Sequence, residues 1–136
     1  MNNIEILRKA IEFIAKGPLG NFVSIDNGDY FIQFTPCDEV GRIYIEAVSE
    51  QFLPALEGVK PQFKKLGYTL PRQDAADYNY NKDVEVSDVN KLIEEFKYIF
   101  ENIYKTSFDG ISISMNQIVV NASNADQILA LPSDFE

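Results

Sequence analysis

The stretch NFVSIDNGDYFIQF, residues 21–34, predicts a β-hairpin and with it the fold class. Asn27-Gly28 is the pair most typical of a two-residue hairpin turn, because both turn positions need a positive φ. Runs rich in aromatic and β-branched residues flank the pair at 21–26 and 29–35. A second turn region, PCDEVG, and an alternating run, RIYIEAVS, follow directly. The sequence therefore predicts three antiparallel strands in a meander.

A helix over residues 3–16 is predicted before the hairpin. Its apolar side chains recur at helical spacing, at Ile4, Leu7, Ile11 and Ile14. Asn2 or Asn3 is expected to cap the start. Gly17 and Pro18 are expected to end the helix, because glycine tolerates a left-handed cap and proline cannot continue a helix.

The segment after the meander is interrupted. Pro54, Gly58 and Pro61 lie inside what would otherwise be one helix. Pro61 suits the first turn of a helix, where its missing N–H costs nothing. A short helix is therefore expected near 60–66, ending at Gly67, and any helix near 50–57 is expected to be separate or kinked.

A strand, a long helix and a second strand are predicted in the remainder. Residues 78–86 alternate as a strand does. Ser87 is expected to cap the helix that follows, and the apolar stripe of that helix runs from Val89 to Ile103. Residues 111–115 alternate apolar side chains with serine, which is typical of a half-buried strand. Residues 118–120 are a candidate continuation of that strand.

These elements occur in the order α-β-β-β-α-β-α-β. Strands that neighbour in sequence tend to pair, and amphipathic helices bury their apolar stripe on one face of the sheet. The predicted fold class is α+β, a two-layer sandwich of an antiparallel sheet with helices on one face. One domain is expected over residues 1–120, with a weakly structured C-terminal tail over residues 121–136.

Composition and charge restrict the classes of partner. The chain has 136 residues, 46% of them hydrophobic, which suits one domain with its own core. Lysine and arginine number 12 against 21 aspartates and glutamates, so the net charge is −9. This acidity disfavours nucleic acid and anionic membranes as partners. It serves solubility, or it steers the chain toward basic partners.

The expected location is the cytoplasm. Cys37 is the only cysteine, so no intramolecular disulfide can form, which is typical of a reducing compartment. The first residues lack the basic start and unbroken apolar run of a signal peptide. No stretch approaches the length of a membrane span.

No pattern predicts a catalytic group, a cofactor or a metal ion. Histidine, the commonest general base and metal ligand, is absent. Glu94 and Glu95 are adjacent on a helix and point about 100° apart, so they do not converge. The run from Asp26 to Asp29 matches only the start of a calcium loop. Cys37 has acidic neighbours that disfavour its thiolate.

Side chains on one sheet face are the first candidates for binding a partner. If Ile32 and Phe34 face the helices, alternation places Phe31 and Gln33 on the other face, and Tyr44 joins them from the next strand. Exposed apolar groups in number need a partner. Phe31, Gln33 and Tyr44 are therefore predicted to be partner-binding residues.

The stretch KKLGYTLPRQDAADYNY, residues 64–80, supplies two more candidates. Gly67 is placed to end the helix in a left-handed cap, and Tyr68 then folds back as the hydrophobic contact of that cap. Tyr68 and Leu70 are therefore assigned to the core. Tyr78 and Tyr80 are assigned to a partner-binding surface.

The same stretch carries a family resemblance. Four features in order resemble the YbjN and TY-Chap group. They are FIQF, IYIEAVSEQFL, KKLGYTLP, and a tyrosine- and asparagine-containing strand that precedes a long amphipathic helix. In that group a leucine-glycine-aromatic-x-x-proline element follows the middle helix, and residues 66–71 look like it, with Tyr68 where tryptophan is more usual. The resemblance covers roughly residues 29–105. It implies a type III secretion chaperone-like fold.

Three functions are open at this point. The resemblance implies a non-enzymatic, chaperone-like protein- or peptide-binding module, with an extended client on the outer sheet face or a sheet edge. A homodimer is a further hypothesis that comes with it. The alternative is an immunity or inhibitor protein acting on a basic toxin or nuclease by charge complementarity. A small enzyme, the third, would need a deep pocket with convergent carboxylates.

Overall fold

The computed structural model describes residues 1–50, 52–69 and 79–131. The strands in these ranges are β1 (Val23–Asn27), β2 (Tyr30–Pro36), β3 (Arg42–Ala47), β4 (Tyr80–Glu85), β5 (Ser112–Met115) and β6 (Ile118–Val119). The helices are α1 (Asn3–Lys16), α2 (Lys60–Lys65), α3 (Val89–Tyr98) and α4 (Ala125–Ile128). A 3₁₀ turn at Pro54–Leu56 and a π-helical turn at Ile99–Ile103 are the other helical elements. Across the described ranges, no helix is both long enough and apolar enough to span a bilayer.

The β1–β2 hairpin is confirmed, with its turn one residue later than predicted. Asn27 pairs with Tyr30, so Gly28 and Asp29 form the turn. Gly28 has a φ of 65°, and glycine at the first of two turn positions is typical of a type II′ turn. Asn27 stays in the strand, where its side-chain amide donates to the Ser107 carbonyl at 2.8 Å. The predicted meander is also confirmed, since β2 pairs antiparallel with β3.

Helix α1 occupies the predicted residues, but it ends for a different reason. The Asn2 side chain accepts a hydrogen bond from the Glu5 N–H at 2.9 Å and caps the start. The expected left-handed cap at Gly17 is wrong, because Gly17 is extended, with φ −85° and ψ 177°. Glycine fits there because a Cβ would lie 2.4 Å from the Phe13 carbonyl oxygen.

Helices α2 and α3 follow the predicted order, with one change of cap. Pro61 lies in the first turn of α2, and Gly67 takes the predicted left-handed conformation after it, with a φ of 88°. Asp88, and not Ser87, caps α3: its carboxylate accepts from the Lys91 N–H at 3.2 Å. A carboxylate at this position also interacts favourably with the helix dipole.

The C-terminal strands form a hairpin, which corrects the prediction that residues 118–120 continue the preceding strand. Asn116 and Gln117 have φ values of 50° and 71°, so the chain reverses after β5. Ile118 of β6 then pairs back with Met115. Strand β5 itself pairs antiparallel with β1, which is distant in the sequence.

The six strands form one antiparallel sheet in the order β4-β3-β2-β1-β5-β6, with helices packed on one face. Phe96 of α3 stacks on Phe34 of β2, with ring centroids 5.8 Å apart. Phe63 of α2 stacks on Tyr80 of β4 at 4.2 Å. The strand residues buried beneath the helices are Val23, Ile25, Ile32, Phe34, Ile43, Ile45, Ala47, Tyr80, Ile113 and Met115. The α+β class is therefore shown.

Part of the predicted C-terminal tail is ordered. In α4 and just after it, Ala125 is fully buried and Leu129 nearly so. Lys9 of α1 forms a surface ion pair with Asp126 at 3.3 Å. The domain limit at residue 120 stays a prediction, and residues 132–136 of the expected tail lie outside the described residues.

Candidate protein-binding surface

The sheet face that points away from α1, α2 and α3 is called the outer face. Because side chains alternate along a strand, the residues on either side of each buried strand residue point to the outer face. Its members on the first four strands are Ser24, Asp26, Phe31, Gln33, Thr35, Arg42, Tyr44, Glu46, Asn81, Asp83 and Glu85. Four adjacent strands therefore present a mixed polar and aromatic surface.

Phe31, Gln33 and Tyr44, which the sequence predicts to bind a partner, lie together on this face. Phe31 and Gln33 are two residues apart on β2, and Tyr44 lies opposite Thr35 on the neighbouring strand β3. All three side chains are half-buried. Cross-strand neighbours on one face are close enough to contact the same ligand segment. The prediction that they share a face is confirmed, while their role in binding stays a prediction.

Tyr80 is a core residue, which corrects its assignment to a surface. It pairs with Ala47, whose side chain points under the helices, so the strand register places Tyr80 there too. Its ring stacks on Phe63, and its hydroxyl donates to Glu50 Oε2 at 2.5 Å. Burial and this bond raise the pKa of Tyr80 well above its ordinary value. Tyr78 lies outside the described residues.

The outer face is acidic. Among its described strand residues, Asp26, Glu46, Asp83 and Glu85 stand against a single cation, Arg42. Arg42 forms an ion pair with Asp83. Burial raises the pKa of Asp26, because the charged form loses water there. The net field on this face favours a cationic group laid across the strands.

Lys82 points under the helices from β4, and it is not among the sequence predictions. Its ammonium donates to the Leu66 carbonyl at 2.7 Å and to Glu95 Oε1 at 3.0 Å. It also lies 4.4 Å from the centre of the Tyr68 ring. The Tyr68 hydroxyl donates to Glu95 Oε2 at 3.0 Å. This Lys82–Glu95–Tyr68 cluster joins α2, β4 and α3.

Tyr68 is buried, as predicted for a core residue. Burial, with the carboxylate of Glu95 adding to it, raises the pKa of the Tyr68 hydroxyl well above its ordinary value. The hydroxyl is therefore a neutral donor at all physiological pH values. Leu70, the other residue assigned to the core, lies outside the described residues.

A recess of about 250 Å³ lies between β4 and α3, and it is not among the sequence predictions. Its lining residues are Lys82, Val84, Glu85, Val86, Ser87, Asp88, Lys91, Leu92 and Glu95. The apolar part is formed by Val84, Val86 and Leu92, all half-buried. The signal was present in the sequence, because Lys82, Val84 and Val86 alternate and must share the inner face of β4.

Three observations in the described residues concern metal binding and catalysis. In these ranges no three histidine, cysteine, aspartate or glutamate residues are grouped to hold a metal ion. Burial raises the pKa of the Cys37 thiol, and the charge of Asp83 raises it further, so the thiolate is disfavoured. Glu94 is exposed, whereas Glu95 points into the Lys82–Glu95–Tyr68 cluster, so these two carboxylates diverge as predicted.

Comparison with known proteins gives no match to the chain among protein-family models, curated proteins or solved structures. The resemblance to the YbjN and TY-Chap group therefore stays a prediction from the sequence.

Proposed function

We propose that the chain is a non-enzymatic, chaperone-like protein-binding module that holds an extended, basic segment of a client protein on the outer face. The observation that carries the proposal is the composition of that face. Phe31, Gln33 and Tyr44 supply apolar and amide contacts, and carboxylates such as Glu46 and Glu85 lie beside them. A basic segment matches the charge of this surface, and its apolar side chains match the aromatic rings.

The negative charge of the chain and of its outer face favours a basic client over an acidic one. The whole chain carries −9, and the described outer face has four carboxylates against one arginine. An acidic client would be repelled, and a basic one would be attracted over a distance of about one Debye length, roughly 8 Å at physiological ionic strength. We expect association rates that fall as salt is raised.

A type III secretion chaperone-like arrangement and a cytoplasmic location are parts of the same proposal. The α+β sheet with helices on one face is compatible with such an arrangement. A homodimer belongs to it as well. Sedimentation at micromolar concentration checks the dimer, and a monomer at all concentrations would remove that part alone.

The experiment is co-purification from native cytosol with two charge-reversal variants. Glu46→Lys with Glu85→Lys alters the outer face. Glu94→Lys with Glu101→Lys alters exposed positions along the helix and its π-helical turn. Each pair shifts the net charge equally, from −9 to −5, because each substitution adds two charges. We expect the first pair to lose the partner that the wild type and the second pair retain.

Equal loss by both pairs would show a non-specific charge effect and would overturn the assignment to the outer face. Retention by both would overturn it as well. The acidic face also favours a second candidate function, that of an immunity or inhibitor protein. The identity of the retained protein decides between the two functions. The immunity or inhibitor function predicts one basic toxin or nuclease whose activity the wild type blocks and the outer-face variant does not.

A further inference from the structure

We propose that the free edge of β4, together with the recess beside α3, takes one stretch of the client segment as a seventh strand in which basic and apolar residues alternate, while the rest of the segment lies on the outer face. This inference rests on the proposed function and assigns the place and the sequence pattern of the segment. Sheet edges bind extended segments through main-chain hydrogen bonds, and pockets beside the edge select alternate side chains.

The register shows which backbone groups of β4 face outward. The Val86 N–H donates to the Gly41 carbonyl at 2.7 Å, so even-numbered residues of this segment bond toward β3. The N–H and C=O groups of Asp83 and Glu85 therefore point away from β3. No described residue bonds to them on that side.

At its N-terminal end, the β4 edge already pairs with another segment of the same chain. The Thr69 N–H donates to the Asn81 carbonyl at 2.7 Å, which forms an antiparallel bridge on the outward side of β4. The edge is thus open to main-chain pairing, and the bridge stops two residues before Asp83. A client strand would continue the same ladder past Asp83 and Glu85.

The opposite sheet edge is less suited to this role. Strand β6 has two residues, and its carbonyl at Val119 accepts the Asn124 side-chain amide at 3.0 Å. A short edge that the chain's own side chain partly covers resists pairing. Of the two edges in the described sheet, β4 is therefore the one available to a client.

The two sides of the β4 edge select different side chains. On the outer side lies the exposed carboxylate of Glu85, which favours lysine or arginine, next to the Arg42–Asp83 ion pair. On the inner side lies the recess, with an apolar wall that includes Val84 and Leu92. Its volume of about 250 Å³ is well above the roughly 30 Å³ that one water occupies in the liquid. An inward-pointing aliphatic side chain fits there, so the segment should alternate basic and apolar residues.

The test is fluorescence polarisation with three labelled octapeptides. One alternates lysine and valine, one has the same composition as a block of lysines followed by a block of valines, and one alternates glutamate and valine. We expect the alternating basic peptide to bind at least ten times more tightly than either control. Ten-fold corresponds to about 1.4 kcal/mol.

N-methylation of the peptide backbone tests main-chain pairing without altering the protein. Only alternate N–H groups of an added strand face β4, so methylating one set should abolish binding and methylating the other should spare it. Because paired side chains share a face, loss with methylated lysines means antiparallel addition, and loss with methylated valines means parallel addition. Equal effects of the two sets would overturn the inference.

A pair of variants locates the site on the protein. Glu85→Pro removes the outward N–H and leaves the bonds to β3 intact, since proline is tolerated on edge strands. Glu85→Ala removes the same charge and keeps the N–H. We expect Glu85→Pro to weaken binding of the alternating basic peptide at least ten-fold more than Glu85→Ala, with unchanged circular dichroism.

Equal binding by these two variants would overturn the edge site. The proposed function would then still stand if Glu46→Lys with Glu85→Lys loses the client. No binding of any octapeptide at about millimolar concentration would also overturn the inference, while co-purification decides the proposed function separately.

Discussion

Removing the Glu95 carboxylate should cost far more stability than removing its exposed neighbour. Glu95 accepts from the Lys82 ammonium and from the Tyr68 hydroxyl, each at 3.0 Å. The Lys82 side chain is 13% exposed and that of Glu95 21%, so water replaces these bonds poorly. In Glu95→Ala the Lys82 ammonium would keep the Leu66 carbonyl but lose its counter-charge, and the buried Tyr68 hydroxyl would lose its acceptor.

The expected magnitude follows from burial. Losing one partner of a fully buried ion pair costs about 3–5 kcal/mol, and an exposed pair contributes about 0–1 kcal/mol. The cluster lies nearer the buried limit, so Glu95→Ala should lower the free energy of unfolding by about 2–3 kcal/mol. Lys82→Met combined with Glu95→Leu should cost only about 1–2 kcal/mol, because no charge is left unpaired, while the Tyr68 hydroxyl loses its acceptor and the Leu66 carbonyl loses the Lys82 donor.

Urea unfolding followed by far-ultraviolet circular dichroism measures these free energies. Glu94→Ala is the matched control, because Glu94 is exposed on the same helix and has no ion pair among the described residues. It should change stability by less than about 0.5 kcal/mol. A cost for Glu95→Ala no greater than that for Glu94→Ala, or a double variant less stable than Glu95→Ala, would contradict the role assigned to Glu95.

Three further outcomes are expected. The pKa of Asp26 is raised in the folded state. The stability linked to its protonated form is therefore complete below about pH 3.8 and is lost as pH rises through the folded pKa. Asp26→Asn should raise Tm at pH 7 and change it little at pH 3. Tyr68 and Tyr104 have pKa values well above 10.0, so in an alkaline titration their tyrosinate absorbance should appear only together with unfolding. Gly17→Ala should cost about 1–3 kcal/mol in urea unfolding, since its Cβ would lie 2.4 Å from the Phe13 carbonyl oxygen; an unchanged midpoint would contradict this.

Local patterns in the sequence predict most of the elements. The hairpin signal near Gly28, the apolar stripe of α1 and the alternation in β3 each depend on short-range periodicity, and each is present in the structure. The pairing of β1 with β5 depends on residues about ninety positions apart, as in Val23 with Met115. No local signal indicates such a contact, so the sequence alone does not give the strand order.

The candidate site was predicted in part, and its two errors have different causes. Phe31 and Gln33 were placed correctly because buried Ile32 and Phe34 fix the face of β2. Tyr80 was misplaced because a shift of one residue in register moves every side chain of a strand to the other face. Lys82 was overlooked because lysine is usually exposed, and here Glu95, Leu66 and an aromatic ring stabilise it under the helices.

The most direct measurement is a two-dimensional amide NMR titration of the labelled protein with the alternating lysine–valine octapeptide. Because the octapeptide would pair at the β4 edge, we expect shifts concentrated on Asp83, Glu85 and the adjoining recess, including Leu92. Amides near Glu94 and Glu101 should not move. Shifts spread evenly over all acidic surfaces, or no shifts at millimolar peptide, would contradict the claim that this chain binds a basic extended segment at this sheet surface.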